Sequence, residues 1–454
     1  MRDLDRRDFL RLLGAGALGL ALPERALLGA PARRPNIVVM LVDDLGYGEV
    51  GVYGGSIPTP NIDSIAKAGV RFTDGYVSCP VCAPTRAGLN SGRYQQRFGF
   101  EFNPGPNVAA NFGLPREQKT LAERLQAEGY ITGMVGKWHL GERPGLVPTD
   151  RGFAEYFGFL GGADAYVPPR PGAIMRGTQV VEEPDYLTDA FAREAVAFID
   201  RHASEPFFLY FAPNAVHGPL QAPPKYLDRF RGVADANRRT FSAMLSALDE
   251  AVGRVMGALR THGLEEDTLV FFLSDNGGPT TKTTSGNGPL RGYKAQTWEG
   301  GIRVPFMVQW KGRIPAGQTF SQPVISLDIH ATALAAVGKP APGEWGLDGV
   351  DLMPYLTGAK AGSPHDRLFW RFGQQRAVRM GDWKLTDTGT GWQLYNLAED
   401  VGESRDQAAG EPVRVKELAV AWNQWEAGLE DPRWRQAGAA RPWARQRRRR
   451  GLAG

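Results

Sequence analysis

Four short apolar runs in this 454-residue chain each end in residues that can do chemistry. Asn36–Val42 runs into Asp43-Asp44, and Tyr130–Val135 runs into Gly136-Lys137-Trp138-His139. Phe207–Phe211 is followed by a loop carrying His217, and Leu269–Leu273 ends in Ser274-Asp275-Asn276. Asp43, Asp44, Asp275 and Asn276 are all oxygen donors, with no histidine or thiolate among them. Such a set suits a hard divalent cation, Ca²⁺ in preference to Mg²⁺, because several flexible side chains are offered. Asp43-Asp44 alone would equally serve a turn or a helix cap. A second polar pair at another strand end favours the metal. Lys137, His139, His217 and Lys294 form a cationic group in which lysine gives a point charge and histidine can move protons near neutral pH. The remaining histidines, His202, His262, His330 and His365, read as surface or packing residues.

The only two cysteines stand in Cys79-Pro80-Val81-Cys82. A redox C-x-x-C centre wants a small βαβ module, and a structural zinc site wants four ligands. No second C-x-x-C and no H-x₃₋₅-H accompany the pair, so a local disulfide or two buried thiols stay open as readings. The stretch continues Ala83-Pro84-Thr85-Arg86 to Arg93. Pro84 suits the first turn of a helix, where a missing N–H costs nothing. Residue 82 then lies at that helix's N-terminus, a natural place for an anion.

The elements that must position these residues alternate. The apolar runs, with Val304–Trp310, are nearly continuous in hydrophobicity, as strands buried on both faces of a mostly parallel sheet are. Between them the pattern predicts helices over Asn61–Ala68, Thr120–Glu128 (Thr120 as N-cap, Gly129 as stop), Leu187–Asp200 and Phe241–Thr261. The fold class is α/β, with helices on both sides of one large sheet. In such sheets ligands bind beyond the carboxyl ends of the strands, which is where all four polar clusters fall. After a loop-rich stretch at Gly343–Pro364, short strand-like pieces (Arg376–Met380, Trp383–Leu385, Trp392–Tyr395) and a helix near Val413–Leu429 predict a smaller α+β subdomain from Pro364. No internal repeat is visible.

The two ends read differently. Arg6-Arg7 and Phe9-Leu10 precede an apolar run from Leu12 to Leu22, and Ala30-Pro31-Ala32 resembles a cleavage site. The run is too short for a mature membrane span and reads as an export signal over 1–32 of twin-arginine type, with an ordinary secretory signal as the alternative. The formal charge is +4, but Arg441, Arg445 and Arg447 to Arg450 lie in a terminal tail over 441–454. The rest of the chain is slightly acidic, without the basic face and interleaved aromatics of a nucleic-acid reader. The division expected is therefore 1–32 signal, 33–363 α/β domain, 364–440 α+β subdomain and 441–454 basic tail. With 42% hydrophobic and 22% charged residues the chain has material for a large globular core, and no other segment is long and apolar enough to cross a membrane.

The Cys82-to-Arg93 stretch resembles the C-x-P-x-R signature of the type I sulfatases, in the alkaline-phosphatase-like superfamily. Asp43 to Gly48, Gly136 to Gly141, Ser274 to Gly278, Lys294 with Thr297 to Pro305, Gly381 to Leu385 and Leu394 to Leu397 are similar to further markers of that family. The resemblance covers nearly the whole chain after the signal. It implies that Cys82 is oxidised after translation to formylglycine, whose hydrated aldehyde attacks sulfur with one hydroxyl and expels sulfate with the other. It implies a Ca²⁺ ion held by Asp43, Asp44, Asp275, Asn276 and residue 82. Arg86 would steady formylglycine, Lys137 and Lys294 would bind sulfate, His217 would protonate the leaving alcohol, and His139 would assist the second hydroxyl. Asn90, where the family usually has Leu, and Thr85, where Ser is frequent, are departures; Asn90 bears on reading by the maturation enzyme. The resemblance thus implies a sulfuric ester hydrolase acting on a sulfated carbohydrate, periplasmic or extracellular, with a formylglycine-generating enzyme and the twin-arginine export machinery as partners. A phosphonate or phosphodiester hydrolase on the same scaffold, a sulfuryl transferase, and a glycan-binding protein with unmodified Cys82 are the alternatives. Specificity is expected from loops Phe98–Phe112, Gly161–Met175 and Thr280–Leu290 and from Trp370 and Arg371.

Overall fold

A computed structural model of the chain describes residues 33–104 and 112–434. The expected export signal and basic tail lie outside the described residues. Sixteen strands are described: β1 (Asn36–Val42), β2 (Val70–Phe72), β3 (Gly75–Tyr76), β4 (Ile131–Lys137), β5 (Glu155–Phe159), β6 (Ile174–Arg176), β7 (Gln179–Val181), β8 (Phe207–Ala212), β9 (Thr268–Ser274), β10 (Phe306–Gln309), β11 (Gln318–Phe320), β12 (Val324–Ile325), β13 (Arg367–Phe372), β14 (Gln375–Met380), β15 (Trp383–Asp387) and β16 (Gln393–Asn396). The longer helices are α1 (Pro60–Ala68), α2 (Cys82–Ser91), α3 (Leu121–Ala127), α4 (Leu187–His202), α5 (Ala236–Thr261), α6 (Asp328–Ala336) and α7 (Pro412–Ala427).

Ten strands form one sheet in the order β11-β2-β10-β9-β1-β8-β4-β5-β6-β7. Its centre, β9-β1-β8-β4-β5, is parallel, while β10 runs antiparallel to β9 and β2. Every residue of β1 is buried, for the reason its composition suggests. Ile37, Val39 and Leu41 pack on the side of α2, α3 and α6; Val38, Met40 and Val42 pack on the side of α1, α4 and α5. A strand with two apolar faces must sit between two helical layers, and this one does.

The helix ends follow local chemistry. Thr120 and Glu123 form a reciprocal capping box at the start of α3. Gly129, two residues past its end, has φ +78°, a conformation glycine adopts without strain. Helix α5 begins five residues before the expected Phe241, with Asp235 accepting the Arg238 N–H. The polar run Asn237 to Thr240 hides that first turn from a periodicity argument. The strand expected over Val304–Trp310 is shorter, Phe306–Gln309.

A second, four-stranded antiparallel sheet, β13-β14-β15-β16, packs on α7. Leu368, Trp370, Val378, Leu385 and Leu394 share one apolar cluster with Leu418, Trp422 and Trp425 of α7 and with Tyr76, Tyr94 and Ile302 of the main body. Strand β13 carries Arg367 and Arg371, charges that disguise it in sequence. Arg371 is nevertheless buried, because Glu101 accepts its Nε–H at 2.8 Å. Trp370 is buried as well, its Nε1–H donated to the Val77 carbonyl at 2.8 Å. The expectation that Trp370 and Arg371 contact substrate at a rim is therefore corrected: both are interior residues that fasten the second sheet to the first. Among the described residues no helix is long and apolar enough to cross a membrane.

Candidate active site

The carboxyl ends of β1, β8 and β9 are tied side by side by backbone bonds beyond the strands themselves. Asp43 N–H donates to Ala215 O at 3.0 Å, Val216 N–H returns to Asp43 O at 2.7 Å, and Asp275 N–H donates to Val42 O at 3.0 Å. This lateral zipper is what brings Asp43, His217 and Asp275 to one place. Asp44 turns the chain away with φ +61°, a left-handed conformation that aspartate tolerates better than most residues. Its carbonyl is held by Ser285 Oγ at 2.9 Å, and its N–H faces Asp275 Oδ1 at 3.3 Å.

Cys82 is the first residue of α2 and is buried. The N-cap, Val81, has no capping side chain. Asn103 does the work from another loop, its Oδ1 accepting the Ala83 N–H at 2.9 Å. Cys82 Sγ lies 3.2 Å from Lys294 Nζ and 3.6 Å from Asp43 Oδ1. Both cysteines are free thiols, so the disulfide reading is not what the structure shows. Burial pushes the Cys82 thiol up to about 12, against the pull of Lys137 and Lys294. As encoded, residue 82 is a protonated thiol and not a reactive thiolate.

One turn along α2, Arg86 donates from Nε and Nη2 to Asp275 Oδ2 at 3.0 and 2.8 Å and from Nη1 to Lys137 O at 3.0 Å. Lys137, which lies on β4 itself and not past its end, donates to Asp43 Oδ2 at 2.6 Å. Lys294 donates to Asp44 Oδ1 at 2.6 Å. Burial would raise the Asp43 carboxyl, but Lys137, His217, Arg86 and Lys294 hold it well below its usual range. Burial and the neighbouring Asp43 push Asp275 upward, opposed by Arg86. Burial alone would lower Lys294, yet Asp44 and Asp43 keep it firmly protonated.

The histidines sit on opposite terms. His139 has φ +61° and is buried, with its Nδ1 unpartnered among the described residues. Burial, then Lys137 and Arg86, push it well below the ordinary histidine value, so the ring is neutral. His217 keeps 23% of its side chain exposed and points Nε2 at Asp44 Oδ2, 3.6 Å away. Its Nδ1 lies 2.6 Å from Gly218 O. That carbonyl can only accept, which assigns the Nδ1 proton.

The donor set fits a hard cation. Ligand atoms of Asp43, Asp44, Cys82 and His217 all lie within 4.8 Å of one another. Asn276 Nδ2 donates to Asp44 Oδ1 at 2.7 Å, while its buried Oδ1 has no partner among the described residues. A buried carbonyl oxygen without a donor costs free energy unless a cation or water meets it. Two carboxylates of that cluster, Asp43 and Asp44, face each other, a repulsion a divalent cation would relieve. His217 stands in the close cluster where the sequence suggested Asp275, whose Oδ2 is engaged by Arg86.

Every sequence-derived residue, Asp43, Asp44, Cys82, Arg86, Lys137, His139, His217, Asp275, Asn276 and Lys294, belongs to this neighbourhood. His365 pairs with Asp328 at 2.8 Å, and His330 lies buried in α6. Asn103, Ser285 and Gln375 were not foreseen. Gln375 on β14 bonds Thr297 N–H at 3.0 Å and Ala295 O at 2.8 Å, bracketing the segment next to Lys294. A lone amide far away in sequence carries no signal for such a role.

The profile of the family described as Sulfatase matches residues 35–339. Arylsulfatase A of Homo sapiens is 38% identical over 392 residues, 79% of this chain and 73% of the relative. N-acetylgalactosamine-6-sulfatase of Canis lupus familiaris is 34% identical over 436 residues, covering 89% and 79%. Among solved structures, Ps i-CgsB in complex with k-i-k-neocarrahexaose has 34% identity and a TM-score of 0.86, covering 93% of this chain and 98% of that one. With strands, cationic pocket and extended sequence similarity all in accord, the chain belongs to the sulfatase family, enzymes that hydrolyse sulfate esters.

Proposed function

We propose that this sulfatase releases sulfate from a sulfated carbohydrate, using formylglycine made from Cys82 and a Ca²⁺ ion. The observation that carries the reading is Cys82 Sγ itself, which marks where formylglycine's oxygens would sit: at a helix start, 3.2 Å from Lys294 Nζ and 3.6 Å from Asp43 Oδ1. Formylglycine would supply two hydroxyls on one carbon, one to attack sulfur and one to expel sulfate. Ca²⁺ held by Asp43, Asp44, Asp275, Asn276 and residue 82 would neutralise charge on the sulfuryl oxygens.

The chain's own groups divide the remaining work. Lys137 and Lys294 bind sulfate oxygens, where charge must be balanced in the transition state. Arg86 fixes Asp275 and the end of β4, and so steadies residue 82 from behind. His217 donates its Nε2 proton to the leaving oxygen, because an unactivated sugar alcohol leaves poorly as an alkoxide. His139, neutral through burial, is fit to accept the proton of the second hydroxyl.

The carbohydrate reading is supported by similarity to proteins named for N-acetylgalactosamine 6-sulfate and solved with neocarrahexaose. We also retain export by a twin-arginine signal over 1–32, maturation by a formylglycine-generating enzyme, and division at 363/364, with a basic tail over 441–454. The test is sulfate release from position-defined sulfated mono- and oligosaccharides, beside phosphate and phosphonate esters, with mass analysis of the peptide covering residue 82. Release from sugars with formylglycine present upholds the reading. Preference for phosphonate esters, or an unmodified Cys82 in fully active protein, overturns it.

A further inference from the structure

His217 stands on a short turn after β8, and its position depends on a residue from a different loop. Tyr166 is fully buried, and its hydroxyl lies 2.6 Å from Asn214 O and 2.8 Å from His217 O. The same Asn214 carbonyl accepts the His217 N–H at 2.8 Å. The phenol therefore shares its single proton between the first and last carbonyls of the turn, fastening both ends at once. Burial, then the neighbouring Tyr186, Asp43 and Asp44, push the phenol well above its usual value, so the hydroxyl stays a donor.

Tyr166 is itself held rigidly. Its N–H donates to Gln221 Oε1 at 2.8 Å, its carbonyl accepts the Leu187 N–H at 2.9 Å, and its ring stacks on Tyr186 at 5.6 Å between centroids. Among the described residues the turn has no comparable anchor at the imidazole, which makes the Gly218 contact and faces Asp44 Oδ2 at 3.6 Å. Since Nδ1–H is committed to Gly218 O, it is the imidazolium form that carries an Nε2–H, and that second proton is the one His217 can transfer. Its aim follows the turn's backbone, and proton transfer is sensitive to displacement on the ångström scale.

We propose that Tyr166 is the positioning residue for His217, locking the turn so that Nε2–H faces the leaving oxygen. The inference rests on His217 being the general acid. In the step it serves, the bond between sulfur and the leaving oxygen breaks with its electron pair on oxygen. The Nε2 proton passes to that oxygen, while a hydroxyl oxygen of residue 82 forms the new bond to sulfur and gives its own proton to the Asp43 carboxylate, whose Oδ1 lies 3.6 Å from Cys82 Sγ. Tyr166 touches neither substrate nor reacting atoms.

The experiment compares 4-nitrophenyl sulfate with phenyl sulfate, whose phenol is a poorer leaving group and leans more on protonation. The ratio of kcat/KM values on one preparation cancels the fraction of folded, matured protein. His217→Ala should shift the ratio against phenyl sulfate, and Tyr166→Phe should shift it the same way by about tenfold, a part of the ~10²–10⁴ that general acids supply. A ratio in Tyr166→Phe equal to the parent's, with His217→Ala shifted, overturns the inference and leaves the acid in place. An unshifted His217→Ala overturns the acid reading itself. Should Tyr166→Phe not fold, Gln221→Leu, which frees the Tyr166 backbone, should shift the ratio the same way but less, and an unchanged ratio there counts equally against the proposal.

Discussion

Lys294 Nζ stands 3.2 Å from Cys82 Sγ while donating at 2.6 Å to Asp44 Oδ1. One ammonium thus links the position of the proposed nucleophile to a carboxylate of the candidate metal centre. A sulfate bound between them would meet positive charge on the side where its oxygens must lie. The two residues are 212 positions apart in the chain.

Replacing residue 82 separates the two hydroxyls of the proposed nucleophile. Cys82→Ser offers one hydroxyl at the same helix start, beside the same lysines and carboxylates. Slow attack on an activated sulfate ester remains available, but expulsion of sulfate from the same carbon does not. The expected outcome is no multiple turnover and an accumulating sulfated serine, seen by intact mass spectrometry. Steady turnover at the parent's rate would mean that formylglycine is not the nucleophile.

Metal removal should abolish turnover, and added Ca²⁺ should restore it. Asp275→Ala is a blunt probe, because it strands the buried Arg86 guanidinium at a cost of about 3–5 kcal/mol. Asn276→Ala is sharper: its Oδ1 has no protein partner among the described residues, and the Asp44 Oδ1 that loses the Nδ2 donation still accepts from Lys294. Calorimetric titration should show Ca²⁺ affinity lowered about tenfold or more, since even outer partners of metal ligands are worth that much. Full activity after exhaustive chelation, or tight zinc without calcium, would refute the oxygen-donor argument.

Cys79 is a bystander in this scheme. Its thiol is fully buried, 3.8 Å from the Glu101 carbonyl, and burial pushes it well above its ordinary value. Cys79→Ser places a hydroxyl that can donate to the same carbonyl, so stability should fall by no more than about 1–3 kcal/mol. Most activity should survive in the folded fraction. A folded variant with residue 82 fully modified and no activity would revive a role for the C-x-x-C pair.

Acid should destabilise the protein through His330. Burial, with Arg124 nearby, pushes this histidine down from 6.5 to about 3. Between those values the unfolded chain binds a proton that the folded chain refuses, so stability falls as pH falls, by up to about 1.4 kcal/mol per pH unit from this group. His330 Nδ1 lies 2.9 Å from Asn90 O, so His330→Gln retains a donor without a titrating ring. Denaturant titrations from pH 7 to 4 should show a shallower loss in the variant. Equal slopes in parent and variant would assign the acid sensitivity elsewhere.

The legible part of this protein is its periodicity and its strand ends. Asn36–Val42 could be recognised as a strand because six consecutive apolar residues, Ile37 to Val42, must be covered on both faces, and its bounds are those expected. Asp43, Asp44, Asp275 and Asn276 were visible because polar residues directly after such strands face one rim of the sheet. Arg371 was misplaced for a physical reason: an arginine reads as solvated until its partner is known, and Glu101 lies 270 positions away.

The sequence by itself determined the alternation of elements, the chemistry available at the strand ends and the helix that begins at Cys82, since these depend on near neighbours and on which surfaces water must not touch. Only the tertiary structure decided which oxygen each cation takes. Asp275 faces Arg86, Asp43 faces Lys137, and Asp44 is shared by Lys294 and Asn276. It likewise placed Tyr166 behind His217 and Asn103 over the start of α2. Those pairings are set by distances between segments that no local pattern encodes, and a buried charge or N–H takes whichever partner the packed sheet brings within about 3 Å.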